Sequence, residues 1–193
     1  MKVLLDISVP SRLWRGLPRA RAIARETVAA AVEESGAALE DGAEVSLCLA
    51  DDATLRALNA RWRGIDRPTN VLSFPSAPGA FADAVRSPSI DGRPSGRPLD
   101  RVAALGERGY RGADPIASLG DIALAYETLA REAEDLGVSL ADHYRHLVAH
   151  GFLHLIGYDH ETDAEAERME ALETRILKRL GAADPYARAV VGE

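Results

Sequence analysis

Short runs of alternating apolar and polar residues are separated along this chain by longer stretches with apolar residues at helical spacing. Val3–Val9 alternates loosely and predicts a strand that Pro10 ends. From about Pro18 to Glu34 the residues Ile23, Val28, Ala31 and Val32 recur at helical spacing, with Gly36 as the stop. Glu44–Ala50 predicts a second strand, with Val45, Leu47 and Leu49 on one face and Cys48 on the other. Asp51 then caps a helix whose apolar positions are Leu55, Leu58 and Trp62. Asn70–Phe74 is a short apolar strand closed by Pro75. Leu119–Ala125 resumes as a strand, followed by a helix to Gly137. Ser139 caps a long helix with Asp142 in its first turn, where a negative charge suits the helix dipole. That helix runs through Leu147, Val148, Leu153 and Leu155 and stops at Gly157. Thr162 and Glu165 have the spacing of a capping box, which opens an amphipathic last helix ending near Leu180.

The order β-α-β-α-β, an interruption, then β-α-α-α predicts one three-layer domain over residues 1–193. Its class is α/β (α+β), with a mixed four-stranded sheet and about five helices. Residues 76–117 interrupt the periodicity: prolines alternate there with glycines, serines and arginines. So long a stretch without a pattern is functional or mobile in a compact domain. It is expected to be an insertion between two strands, not a domain boundary.

Composition narrows the classes further. A chain of 193 residues, 47% apolar and 27% charged, can bury a working core and is neither collagen-like, coiled-coil nor wholly disordered. No apolar run approaches the roughly 20 residues needed to span a bilayer. The N-terminus meets Asp6 after only three apolar residues, unlike a signal peptide. The single cysteine, Cys48, makes no internal disulfide; it is expected to be a quiet buried thiol and favours a reducing cytoplasm. Net charge is −7, but unevenly spread: residues 1–113 hold 16 basic against 14 acidic side chains, and residues 114–193 hold 7 against 16. Indiscriminate nucleic-acid binding does not suit such a chain. Two arginine runs, Arg12–Arg25 and Arg56–Arg67, are either solvated faces or local phosphate-binding patches.

All five histidines lie between His143 and His160. His150 and His154 are four apart on the predicted helix, so their side chains share a face. Gly157 lets the chain reverse, and His160 can approach the pair from the other side. This His-x-x-x-His-x-x-Gly-x-x-His pattern predicts a three-histidine metal site at the end of the long helix, with its fourth position open. An open position is the catalytic arrangement, in which zinc acidifies a bound water. Three imidazoles also suit other transition metals. His143 and His146 share the helical stripe but stand farther along it; packing or hydrogen bonding is expected of them, with His146 a candidate for a supporting role. Asp159 either orients a ligand or moves a proton, or it is a plain turn residue. In a His-Glu-x-x-His metallopeptidase the general base follows the first histidine, and here that position is Gly151. The peptidase reading therefore ranks last, and a phosphodiester substrate, whose developing charge an arginine can stabilise, fits better.

The segment His150–His160 resembles the signature of the YbeY-type endoribonuclease family of bacterial rRNA maturation factors. Two further segments agree: Leu58–Pro75, with Asn59, Trp62, Arg63, Asp66 and Thr69 before Val-Leu-Ser-Phe-Pro, and Leu119-Gly120-Asp121-Ile122. The likeness runs from about residue 44 to 180. It implies a single-strand-specific endoribonuclease with one zinc ion, acting on the 3′ end of small-subunit (16S) rRNA and in ribosome quality control. It carries zinc ligation onto His150, His154 and His160, and a functional arginine onto Arg63. The alternative for Arg63 is a surface ion pair with Asp66. Partners implied are RNA, the small ribosomal subunit and an Era-type GTPase. This chain departs from the pattern at Asn70, often aspartate and a candidate supporting residue, and at Trp62, often tyrosine. The 76–117 stretch is longer than in compact members. A non-enzymatic ribosome assembly factor with a structural zinc is the alternative to an enzyme.

Overall fold

The computed structural model describes residues 2–76 and 118–187. Among these, strands β1 (Leu4–Ser8), β2 (Glu44–Ala50), β3 (Val71–Pro75) and β4 (Ser118–Ala125) form one sheet in the order β1-β2-β4-β3. The first three in that order are parallel, and β3 runs antiparallel to β4 along the edge. The helices are α1 (Ala20–Ser35), α2 (Asp52–Arg63), α3 (Tyr126–Leu136), α4 (Leu140–Leu155) and α5 (Asp163–Arg179). The expected mixed sheet and five helices are therefore present. A 3-10 turn at Arg12–Gly16 was not legible in the periodicity; buried Trp14 anchors it by donating its indole N–H to the Ala50 carbonyl at 2.7 Å.

Side-chain alternation in β2 assigns the layers. Val45, Leu47 and Leu49 enter the larger core with Ile122 and Leu124 of β4 and the apolar faces of α1, α4 and α5. Cys48 and Ala50 face the other way, with Ala123, Ala125 and Leu72, beneath Leu55 and Leu58 of α2. Burial pushes the Cys48 thiol up to about 11, so it stays neutral and unreactive. The helix starts follow local chemistry. Asp51, Ser139 and Thr162 each accept a backbone N–H, from Thr54, Asp142 and Glu165, and Glu165 completes the capping box. Helices α2 and α3, which start from the adjacent ends of β2 and β4, also cap one another. Asp52 accepts the Thr128 amide at 3.0 Å, and Glu127 accepts the Asp52 amide at 3.0 Å.

The chain leaves β3 at Ser76 and returns at Ser118, whose hydroxyls are 3.1 Å apart. Residues 77–117, which make up nearly all of the predicted insertion, lie outside the described residues. Next to this junction, Gly120 sits at a register shift between β2 and β4 with φ of +138°. A Cβ there would stand 2.3 Å from the Phe74 carbonyl oxygen and 2.9 Å from Leu155. The glycine of the Leu-Gly-Asp-Ile segment is thus required by both backbone angle and space. Gly120→Ala is expected to lower stability by roughly 3 kcal/mol, read as a shift of the urea midpoint.

Candidate metal centre

Helix α4 lies over the β3–β4 edge, close enough that a Cβ on Gly151 would come 3.0 Å from Ile122 and 3.1 Å from the Ser73 hydroxyl. This approach seats the stripe His143, His146, His150 and His154 beside the edge of the sheet. After Leu155, Gly157 takes a left-handed φ of +94° and the chain turns back. His160 then returns to the stripe, with its ring 5.6 Å from that of His150 and 5.1 Å from that of His154. Asp159 holds this turn by accepting the His160 amide at 2.8 Å. Its carboxylate also lies 3.9 Å from His154 Nδ1, beyond hydrogen-bond reach.

One ligand-type nitrogen from each of His150, His154 and His160 falls within 4.8 Å of the others, and the Nε2 atoms of His150 and His154 are 3.1 Å apart. Two imidazole nitrogens at about 2.0–2.1 Å from a tetrahedral ion would stand about 3.4 Å apart, so a spread of a few tenths of an ångström would let this pair hold one. Burial, reinforced by the two neighbouring imidazoles, pushes His154 down to about 4. It is neutral at physiological pH, the form that can ligate a metal.

A side chain that the sequence reading missed holds the stripe from behind. Glu173 of α5 is fully buried. Its Oε1 accepts from His150 Nδ1 at 2.9 Å and its Oε2 from His146 Nε2 at 3.0 Å. Burial alone would raise this carboxyl, but the hydrogen bonds from His146 and His150 outweigh it and hold it down to about 2. With the His150 Nδ1 proton committed to Glu173, the Nε2 lone pair faces His154 and His160. A carboxylate behind a histidine fixes the tautomer and aim of a metal ligand in this way. The available signal was a lone acid within the apolar stripe Met169, Leu172, Ile176 and Leu177.

The other candidates separate from the centre. His143 is buried against Glu132 of α3 at 2.9 Å, and burial lowers it despite that carboxylate. Glu132 also accepts from the Asn70 amide at 2.9 Å. An aspartate at position 70 would set two carboxylates face to face, which gives a reason for the amide in this chain. His146 reaches Glu173 and does not join the 150–154–160 group. Arg63, the last residue of α2, is exposed. Its alternative partner Asp66 is taken by Arg56 in a forked pair at 2.7 and 2.8 Å, so the Arg63–Asp66 bridge does not form. In the first arginine run, Arg21 donates to the Ile7 carbonyl and Arg19 pairs with Glu26, so that run is not one free basic face.

The profile described as "Endoribonuclease YbeY" matches residues 16–181. The chain belongs to this family. The match begins well before the motif-bearing segments and takes in α1, where no motif was visible. A protein named Endoribonuclease YbeY from Bradyrhizobium sp. is 45% identical, over 94% of this chain and 91% of its own length. The one from Methylocella silvestris is 42% identical over 96% and 87%, and that from Nitrobacter winogradskyi 45% identical over 94% and 81%. The solution structure of TM1509 from Thermotoga maritima is 18% identical with a TM-score of 0.48, covering 96% of this chain and 100% of that one. No helix among the described residues is long and apolar enough to cross a membrane.

Proposed function

We propose that this YbeY-family chain is a zinc-dependent, single-strand-specific endoribonuclease that matures the 3′ end of small-subunit rRNA and acts in ribosome quality control. Endoribonuclease activity follows from the family. The observation that carries the metal dependence is the convergence of His150, His154 and His160, with two ring nitrogens 3.1 Å apart. His150, His154 and His160 would hold the zinc ion, whose Lewis acidity would serve hydrolysis of a phosphodiester.

The remaining work falls to side chains. Glu173 keeps the His150 Nδ1 proton and so aims Nε2. Arg63 presents a forked cation, with no acidic partner among the described residues, suited to gripping a phosphate and the charge that develops on it. Asp159 supports the turn that returns His160. His146 acts one step removed, through Glu173, whereas Asn70 braces Glu132 and His143 at the far end of the stripe. A single catalytic domain over 1–193, the small subunit and an Era-type GTPase as partners, and a cytoplasmic location belong to the same proposal. Family likeness supports the partners and the location, and one sheet with helices packed on both faces supports the single domain.

Arg63→Ala is expected to lower kcat/KM on a single-stranded RNA by about 100-fold while leaving zinc content and melting temperature unchanged. Chelation should stop cleavage and added zinc restore it. A zinc-replete chain that binds small subunits but never cuts RNA would replace this reading with an assembly factor whose metal is structural.

A further inference from the structure

The segment after α5 folds back onto the rear of the histidine stripe. Asp184 builds its turn: Oδ1 accepts the Tyr186 amide at 2.9 Å and the Thr174 hydroxyl at 3.4 Å. The Tyr186 ring packs edge-on against His146 at 5.7 Å, and its hydroxyl donates to Glu173 Oε2. Glu173 therefore receives three donors. His146 and Tyr186 occupy Oε2, and Oε1 is left to His150. With both oxygens engaged from different elements, the carboxylate cannot rotate without breaking a charge-assisted bond in a fully buried place.

We propose that Tyr186 is a positioning residue for the metal centre, acting through Glu173 to hold His150 with Nε2 toward the shared ion. This rests on the assignment of His150, His154 and His160 as ligands. It gives the C-terminal segment a part in metal retention, although its tyrosine lies beyond the ligands and touches none of them except through a carboxylate. His146, His150 and Glu173 also have spacing compatible with a second ion. Protons bridging nitrogen and oxygen at 2.9 and 3.0 Å satisfy all three groups without one.

The test uses the full chain loaded with cobalt(II), which reports ligand geometry in its visible spectrum. Tyr186→Phe should shift the bands and speed cobalt loss to excess chelator at least about threefold, and Glu173→Gln should weaken cobalt binding by roughly 10- to 100-fold. Added to Glu173→Gln, Tyr186→Phe should change nothing further, as required if it works through that carboxylate. Metal-free Tyr186→Phe should stay folded and lose only a few degrees of melting temperature, because it removes one of three donors to Glu173 from a residue that is 39% exposed. A parental spectrum and dissociation rate in Tyr186→Phe, or effects of the two variants that simply add, would overturn the proposal. So would two cobalt ions per chain with one lost in Glu173→Gln, which would assign these groups to a second ion. If His154→Ala binds cobalt with the parental spectrum, the ligand assignment itself fails, and this inference with it.

Discussion

His154→Ala should yield a folded chain that neither retains zinc nor cuts RNA. The residue is 8% exposed and lies nearest both other proposed ligands, with Nε2 3.1 Å from that of His150. Removing it leaves two imidazoles on a cation that needs at least three protein ligands to stay in an open site. Cleavage of a single-stranded oligonucleotide should fall by on the order of a thousandfold or more, because the chemistry the ion supplies is lost outright. Zinc per chain, measured by mass spectrometry, should fall in parallel. His143→Ala is the control from the same stripe: it breaks the bond to Glu132 and costs stability, yet it should keep the metal and most of the activity. Undiminished cleavage by His154→Ala would remove the basis of the metal-dependent mechanism.

Gly151→Glu carries the second large effect, on stability. Position 151 follows the first histidine of the motif, where a metallopeptidase of the His-Glu-x-x-His type holds its base. Here the helix lies so close to the sheet that even a Cβ meets Ile122 at 3.0 Å and Ser73 at 3.1 Å. A glutamate would force the helix away from β3 and β4 and bury a carboxylate against Ile122. Both terms are unfavourable, and together they should lower stability by at least about 4 kcal/mol. Gly151→Ala should be far milder, since contacts a few tenths of an ångström too tight are offset by about 1 kcal/mol of helix propensity. Chemical denaturation of the three proteins gives the comparison. A Gly151→Glu chain of parental stability would show that the helix does not need this approach.

Much of the site was readable because it is local. The 150–154 pair follows from helix periodicity, the glycine at 157 from the need for a reversal, and His160 from its distance beyond that turn. The caps at Asp51, Ser139 and Thr162 are likewise three-residue relations, and β2 matched its expected limits because Val45, Leu47 and Leu49 recur at every second position while the small Cys48 and Ala50 fill the opposite face. Arg63 came only through family likeness, since an exposed arginine carries no pattern of its own.

The amino-acid order alone therefore determined the strands, the helix starts and the three imidazoles, all of which depend on residues a few positions apart. Tertiary structure decided what surrounds them. Glu173 lies 23 residues from the histidine it orients, Glu132 is 62 from Asn70, and Glu127 is 75 from the helix start it caps. Such pairs meet only because β4 inserts between β2 and β3 and carries α3, α4 and α5 onto their neighbours. No periodicity within one element encodes that placement. A buried carboxylate shows in the sequence only as an acid in an apolar stripe, and its partners are chosen when the helices pack.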